Sequence, residues 1–167
     1  HKGRGSYSTR KEVWSQDRFS DKVNEFISAN KKNPFFIYYT PVIPHDNGEA
    51  PKGQIFESKT TKPYEKEKWS EDLKRYAASI TYLDGQIEKL LKHLKSEGVS
   101  ENTVVFFVSD NGPIHPKNDS SLLFFNSSGG LRGYKRDMYE GGIRVPAIVY
   151  GPKIVKPGLV SDVHTAL

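Results

Sequence analysis

The side chains of this sequence best suited to chemistry fall in three stretches. Ser109-Asp110-Asn111-Gly112-Pro113 sets a carboxylate beside an amide oxygen, both hard donors of the kind Ca²⁺ or Mg²⁺ prefers. Pro44-His45 offers an imidazole, and His115 offers another shortly after Asn111. Arg132, Lys135 and Arg136 add cations. Imidazole and ammonium together suit an anion such as sulfate or phosphate, and an imidazole can hand a proton to a leaving group. Each group has a plainer reading. Asp-Asn-Gly-Pro is a good turn in its own right, His45 is then an exposed loop imidazole, and Lys135 and Arg136 are solvated cations. Gly129-Gly130 and Gly141-Gly142 read as flexible turns.

A sheet would bring these residues together. Phe35-Phe36-Ile37-Tyr38-Tyr39-Thr40 is a β-favouring run without alternation, the pattern of a strand buried on both faces in a parallel sheet. Residues 104–108 form a second such run. Residues 145–150 form a third, with Pro146 at its start or at an edge because proline cannot donate to a ladder. Parallel sheets bind ligands beyond the carboxyl ends of their strands. His45 follows the first run, Asp110 and Asn111 follow the second, and the cations lie on the loop 114–142 before the third. A loop of that length in a compact domain is usually functional.

Two helices flank the strands. Phe19, Val23, Phe26 and Ile27 share one helical face, with Ser20 as the expected N-cap and Asn33-Pro34 as the stop. Residues 69–95 carry a continuous apolar stripe from Trp69 to Leu94, with Ser70 as N-cap and Gly98 closing the C-terminus. Residues 1–17 read as a polar loop, and 46–68 carry no element. The order of helices and strands predicts an α/β layered fold with a mainly parallel sheet.

Composition narrows the function. Twenty-five Lys and Arg against 20 Asp and Glu give a net charge of +5. Acidic residues interleave nearly everywhere and no Arg-rich stripe occurs, so nucleic acid is not the expected partner. A basic cleft for an anionic substrate gives the same balance. Nine Phe, nine Tyr and two Trp argue against a disordered tail. The absence of cysteine excludes a disulfide, a thiolate nucleophile and Cys-ligated metal. No apolar run approaches the roughly 18–20 residues of a membrane-spanning helix, and no signal peptide is visible. The sequence starts at His1 and its one Met is Met138, so a processed or truncated piece of a longer protein is expected.

Several segments together resemble the type I sulfatases in order and spacing. They are residues 34–40 followed by Pro44-His45, Tyr76-Ala77-Ala78-Ser79-Ile80 with Leu83-Asp84, residues 102–113, Gly130-Leu131-Arg132-Gly133-Tyr134-Lys135, and Tyr139-Glu140-Gly141-Gly142-Ile143-Arg144-Val145-Pro146. The resemblance runs over roughly residues 19–162 and is far more specific than any one motif. It implies that residues 1–167 are a piece of a single catalytic domain of the alkaline-phosphatase-like α/β fold, and that the intact protein is a sulfuric ester hydrolase.

By that resemblance, Asp110 and Asn111 match residues that bind Ca²⁺, and His45 and Lys135 match catalytic residues that contact the sulfate. His115 has no firm family position and is a candidate substrate contact by proximity in the chain. The family's nucleophile is a formylglycine made from Cys or Ser in a Cys/Ser-x-Pro-Ser/Thr-Arg motif. Ser6-Tyr7-Ser8-Thr9-Arg10 matches superficially, with Ser8 in place of the proline, and is taken as chance. The paired aspartates that complete the calcium site and the C-terminal subdomain have no counterpart. The chain alone is therefore expected to be inactive and to bind Ca²⁺ weakly. A phosphodiesterase or phosphatase of the same superfold stands as an alternative, although neither of its zinc-binding His/Asp clusters is complete. A noncatalytic anion- or glycan-binding domain is another. The expected substrate is a sulfated small molecule or glycan, with residues 46–68 and 114–129 as specificity loops. Asn118-Asp119-Ser120 and Asn126-Ser127-Ser128 are glycosylation sequons. Family habit suggests a periplasmic, secreted or lysosomal location, and the oligomeric state stays open.

Overall fold

Ser70 starts the longest element of the computed structural model, which describes residues 13–51, 53–115 and 123–161. Its hydroxyl accepts the Leu73 N–H at 3.3 Å and opens helix α2 (Glu71–Ser96). Glu71 and Asp72 sit in the first turn, where the helix dipole favours anions. Gly98, at φ +75°, ends the helix. Its N–H donates to the Lys95 carbonyl and that of Val99 to the Leu94 carbonyl, both at 3.1 Å, a Schellman closure. Leu73 and Leu94 are 4% and 2% exposed, and burying each contributes about 1.5–3 kcal/mol. Phe56 is fully buried, its ring 4.8 Å from that of Tyr76.

Helix α1 (Ser15–Asn30) begins earlier than the apolar stripe suggests. Trp14 stands at its N-cap without a side-chain cap, and Ser20 is buried within the helix instead of capping it. The buried residues of α1 are Gln16, Ser20 and Ile27, spaced as one helical face. Two of the three are polar, so a search for apolar periodicity finds that face only in part. Polar and aromatic side chains join the helix to its surroundings. Asp17 accepts from Tyr82 and Lys59, and the Trp14 ring lies 4.6 Å from that of Tyr82. At the other end Ser28 donates to Glu97 at 2.7 Å and meets His93 Nε2 at 3.0 Å, while Lys31 pairs with Glu97 at 2.7 Å.

Of the stripe read from sequence, Ile27 is buried and the rest faces elsewhere. Phe19 and Phe26 are nearly half exposed. With Val23, Phe36, Tyr38 and Val42 they line an open groove of about 610 Å³ between α1 and the extended segment 36–42. Residues 35–40 form no ladder among the described residues. Phe36 and Tyr38 are exposed, and they alternate with half-buried Phe35, Ile37 and Tyr39. This corrects the expectation of a strand buried on both faces here.

The sheet of the described residues is an antiparallel pair, β1 (Val105–Val108) and β2 (Ala147–Tyr150), in place of the mainly parallel sheet expected. Val105 faces Tyr150 and Val108 faces Ala147. All four residues of β2 and Phe106 of β1 are exposed, so neither run is buried on both faces as expected, and an unbroken apolar run does not encode strand direction either. Direction follows from the connection, and a parallel neighbour needs a crossover, usually through a helix of some length. Among the described residues between these strands, the one α-helix is the four-residue α3 (Glu140–Ile143), and the chain then returns alongside β1. Strand β2 starts just after Pro146, as proline's missing N–H requires. Ser6 to Arg10 and the Asn118 sequon lie outside the described residues.

Candidate functional site

Strand β1 runs into the turn 109–113. Ser109 Oγ donates to the Asn111 carbonyl at 2.9 Å, and Asn111 Nδ2 donates to the Gly112 carbonyl at 2.9 Å. Asp110 is exposed and Asn111 half-buried.

The loop that carries Lys135 is fastened to this turn by backbone. Lys135 N–H donates to the Pro113 carbonyl at 2.8 Å, Gly112 N–H to the Gly142 carbonyl at 2.9 Å, and Gly141 N–H to the Arg132 carbonyl at 2.7 Å. The approach is so close that a Cβ on Gly112 would overlap the Gly141 carbonyl oxygen. A Cβ on Gly141 would overlap that of Gly133, and one on Gly142 those of Asp137 and Tyr134. Gly141-Gly142 is therefore a packing requirement and not a flexible turn. Gly133 sits at φ +91°, in the left-handed region that glycine tolerates. Asp137 Oδ2 accepts the Tyr134 N–H at 3.0 Å and tightens the same turn.

His45 reaches this loop from the other side of the sequence. Its N–H donates to the Val42 carbonyl at 3.0 Å, and Ile43, 4% exposed, anchors the turn. The Ile43-Pro44 peptide is cis. His45 Nε2 lies 2.9 Å from Lys135 Nζ, across 90 residues of chain. Nδ1 lies 2.7 Å from the Asp46 carbonyl oxygen. An oxyanion at this point would meet an ammonium and an imidazole at once, which suits a sulfate or phosphate oxygen.

The remaining candidates separate. His115 is exposed, its ring 4.9 Å from that of Tyr134, next to Lys135 in the chain. The Arg132 guanidinium stacks 3.6 Å from the Tyr139 ring centroid and donates to its hydroxyl at 2.6 Å, so it is engaged within the loop. Arg136 is exposed and adopts φ +81°, a backbone state that costs a non-glycine residue about 1–2 kcal/mol.

The donors fit calcium in kind and not in number. Asp110 and Asn111 offer two hard oxygens where Ca²⁺ takes about six to eight. No group of three or more His, Asp or Glu among the described residues could hold a metal. These residues do not complete a calcium site by themselves.

Sequence reasoning passed over Gly112 as a contact residue, and over Asp46 and Asp137. Gly112 and Asp46 act through the backbone, which no pattern of side-chain types encodes, whereas Asp137 acts through its carboxylate on the Tyr134 N–H. The Gly-Gly pair at 141–142 was the one visible trace.

The profile of the family described as Sulfatase matches residues 4–166, and the chain belongs to that family. It is 28% identical over 153 residues to an arylsulfatase of Hemicentrotus pulcherrimus, which covers 89% of this chain and 24% of that protein. It is 36% identical over 149 residues to the N-acetylgalactosamine-6-sulfatase of Mus musculus, covering 86% of this chain and 25% of that protein. A solved structure reported under glycosaminoglycan metabolism by Bacteroides thetaiotaomicron superposes with a TM-score of 0.67 at 27% identity, over 87% of this chain and 29% of that one. A second, solved in complex with k-i-k-neocarrahexaose, gives a TM-score of 0.62 at 29% identity, over 92% of this chain and 31% of that one. The fold is accordingly of the alkaline-phosphatase-like α/β kind. The chain spans about a quarter of the length of the curated relatives it matches.

Proposed function

We propose that the whole protein hydrolyses sulfate esters and that this chain supplies the part of its site that grips the sulfate. The observation that carries this reading is the 2.9 Å meeting of Lys135 Nζ and His45 Nε2, 90 residues apart in the chain. Lys135 holds the negative charge that grows on the sulfate oxygens, the electrostatic contribution that is usually largest. His45 hydrogen-bonds the sulfate or the leaving oxygen and supplies its proton. His115 lies against Tyr134, next to Lys135 in the chain, and serves as a further substrate contact.

Asp110 and Asn111 would give two oxygen ligands to a Ca²⁺ ion whose other ligands belong to the rest of the protein. The formylglycine nucleophile belongs there too, since this chain has no cysteine and its one Ser-x-x-Thr-Arg stretch, residues 6–10, has Ser8 where the motif needs proline. The chain alone is then inactive. In the whole protein, segment 35–40 finds the strand partners it lacks here, and the mainly parallel sheet is completed. The substrate is a sulfated small molecule or glycan, in keeping with the names of the relatives. A periplasmic, secreted or lysosomal location accompanies this reading by family habit. Among the described residues no helix is long and apolar enough to cross a membrane.

The test is steady-state kinetics of the whole enzyme on a sulfate ester. Lys135→Ala should lower kcat by about 10²–10³, the loss typical of one such electrostatic donor. Arg136→Ala, at an exposed neighbouring cation, should change it little. A Lys135 variant within about threefold of the parent would remove Lys135 from the site.

A further inference from the structure

His45 is held at both ring nitrogens by groups that each have a single hydrogen-bonding role. Nδ1 lies 2.7 Å from the main-chain carbonyl oxygen of Asp46, which can only accept. Nε2 lies 2.9 Å from the Lys135 ammonium, which can only donate. Both contacts are satisfied by one state of the ring, neutral, with its proton on Nδ1 and its lone pair on Nε2. We propose that Asp46 is a positioning residue for His45, its main-chain carbonyl fixing the Nδ1–H tautomer so that in the resting ring Nε2 accepts from Lys135, and only the imidazolium turns an N–H toward an anion. The inference rests on reading His45 and Lys135 as the anion-gripping pair.

The carbonyl is itself well fixed. Asp46 pairs with Phe56 in an isolated antiparallel bridge, and Phe56 is 1% exposed. Asn47 N–H donates to the Ile55 carbonyl at 2.6 Å. Ile55 N–H donates to Asp72 Oδ1 at 3.0 Å, and Asp72 is buried in the first turn of α2. A chain of contacts thus refers the ring of His45 to the longest helix of the fold. The Asp46 carboxylate stands farther from Nδ1, at 3.4 Å, so the carbonyl sets the tautomer and the carboxylate assists.

The tautomer has a chemical consequence. Nε2 in the resting ring has no proton to give, so His45 can protonate a leaving oxygen only as the imidazolium. When the imidazolium passes its Nε2 proton to that oxygen, the electron pair of the N–H bond stays on Nε2. The ring that remains is the resting tautomer, already seated on the Asp46 carbonyl. Each turnover then takes up one proton at Nε2 from solvent and leaves the Nδ1 proton in place.

Nitrogen-15 NMR of His45 in the labelled full chain tests this, at a pH about two units above the ordinary histidine value of about 6.5. The expected signals are a protonated, pyrrole-like Nδ1 and a lone-pair, pyridine-like Nε2. Asp46→Ala keeps the main-chain carbonyl and should keep this signature, as should Lys135→Met. An Nε2–H tautomer in the parent chain overturns the proposal. So does a switch in either variant, since the carboxylate or Lys135 would then be setting the ring. Adding inorganic sulfate separates the two claims. The His45 signals should move, and signals that stay still while the tautomer is as expected sink the anion reading alone.

Discussion

The helix pair and the loop that carries Lys135 are built from different materials. Helices α1 and α2 are joined by side chains: Ile27 and Leu94 in the core, Asp17 with Tyr82, Ser28 with His93 and Glu97. The loop is joined to the β1 turn by main chain, through Gly112, Gly141 and Gly142, where there is no room for a side chain at all. A side-chain interface can absorb a substitution by repacking. A backbone-to-backbone latch cannot, because neither partner has a rotamer to change.

The sharpest way to test that contrast is to substitute glycines in both regions. Gly142→Ala places a methyl group on two carbonyl oxygens and should cost about 3 kcal/mol, the upper part of the overpacking range. That corresponds to a fall of roughly 6–12 °C in Tm for a chain of this size, accompanied by loss of the Lys135 contact at His45. A variant that melts within about 2 °C of the parent would show that the latch yields.

Gly85→Ala, in the middle of α2, should do the reverse. Nothing lies within 4 Å of the added methyl, and alanine is favoured over glycine in a helix by about 1 kcal/mol. Thermal unfolding should show a small gain, and a loss would mean that the helix face there is more crowded than the geometry shows.

The smallest effect concerns acid. Hydrogen bonds from Lys31 and Ser28 hold the Glu97 carboxyl below its ordinary value of 4.5. At Asp17 burial pushes upward, but hydrogen bonds from Lys59 and Tyr82, with the Lys59 charge, outweigh it and leave the carboxyl below 3.8. Both groups bind protons more weakly folded than unfolded. Their stabilisation is complete above the ordinary values and is lost as pH falls through the lowered ones. The helix pair should therefore loosen below about pH 4 before the glycine latch, whose contacts with the β1 turn are main-chain N–H···O=C bonds. Glu97→Gln should flatten part of the acid limb in denaturation measured from about pH 6 to pH 2. An unchanged limb would place the acid sensitivity elsewhere.

How much of this was legible in the sequence divides along the same line. Helix α2 was readable to within two residues of each end, because its cap, its stripe and its closing glycine are local signals. Helix α1 was found but its face only in part, since Ile27 is buried as expected while Gln16 and Ser20 are buried and Phe19 and Phe26 are half exposed. Strands β1 and β2 were located by their apolar runs, yet their direction was missed because runs do not encode connections. Of the site, His45 and Lys135 were named and the structure brings them together. Asp110 and Asn111 were placed on the turn where they stand. The Gly112 latch and the Asp46 carbonyl were invisible, because both act through atoms that every residue shares.

The separation of His45 from Lys135 also sets an order of events. Helices form in about a microsecond once their residues exist, and the contact of His45 Nδ1 with its immediate neighbour needs no distant chain. Lys135 is made 90 residues later, which at roughly 5–20 residues per second leaves His45 unpartnered at Nε2 for about 5–18 s of synthesis. The ring can be seated on Asp46 throughout that interval. When the glycine latch finally delivers the ammonium, it meets a lone pair that is already aimed.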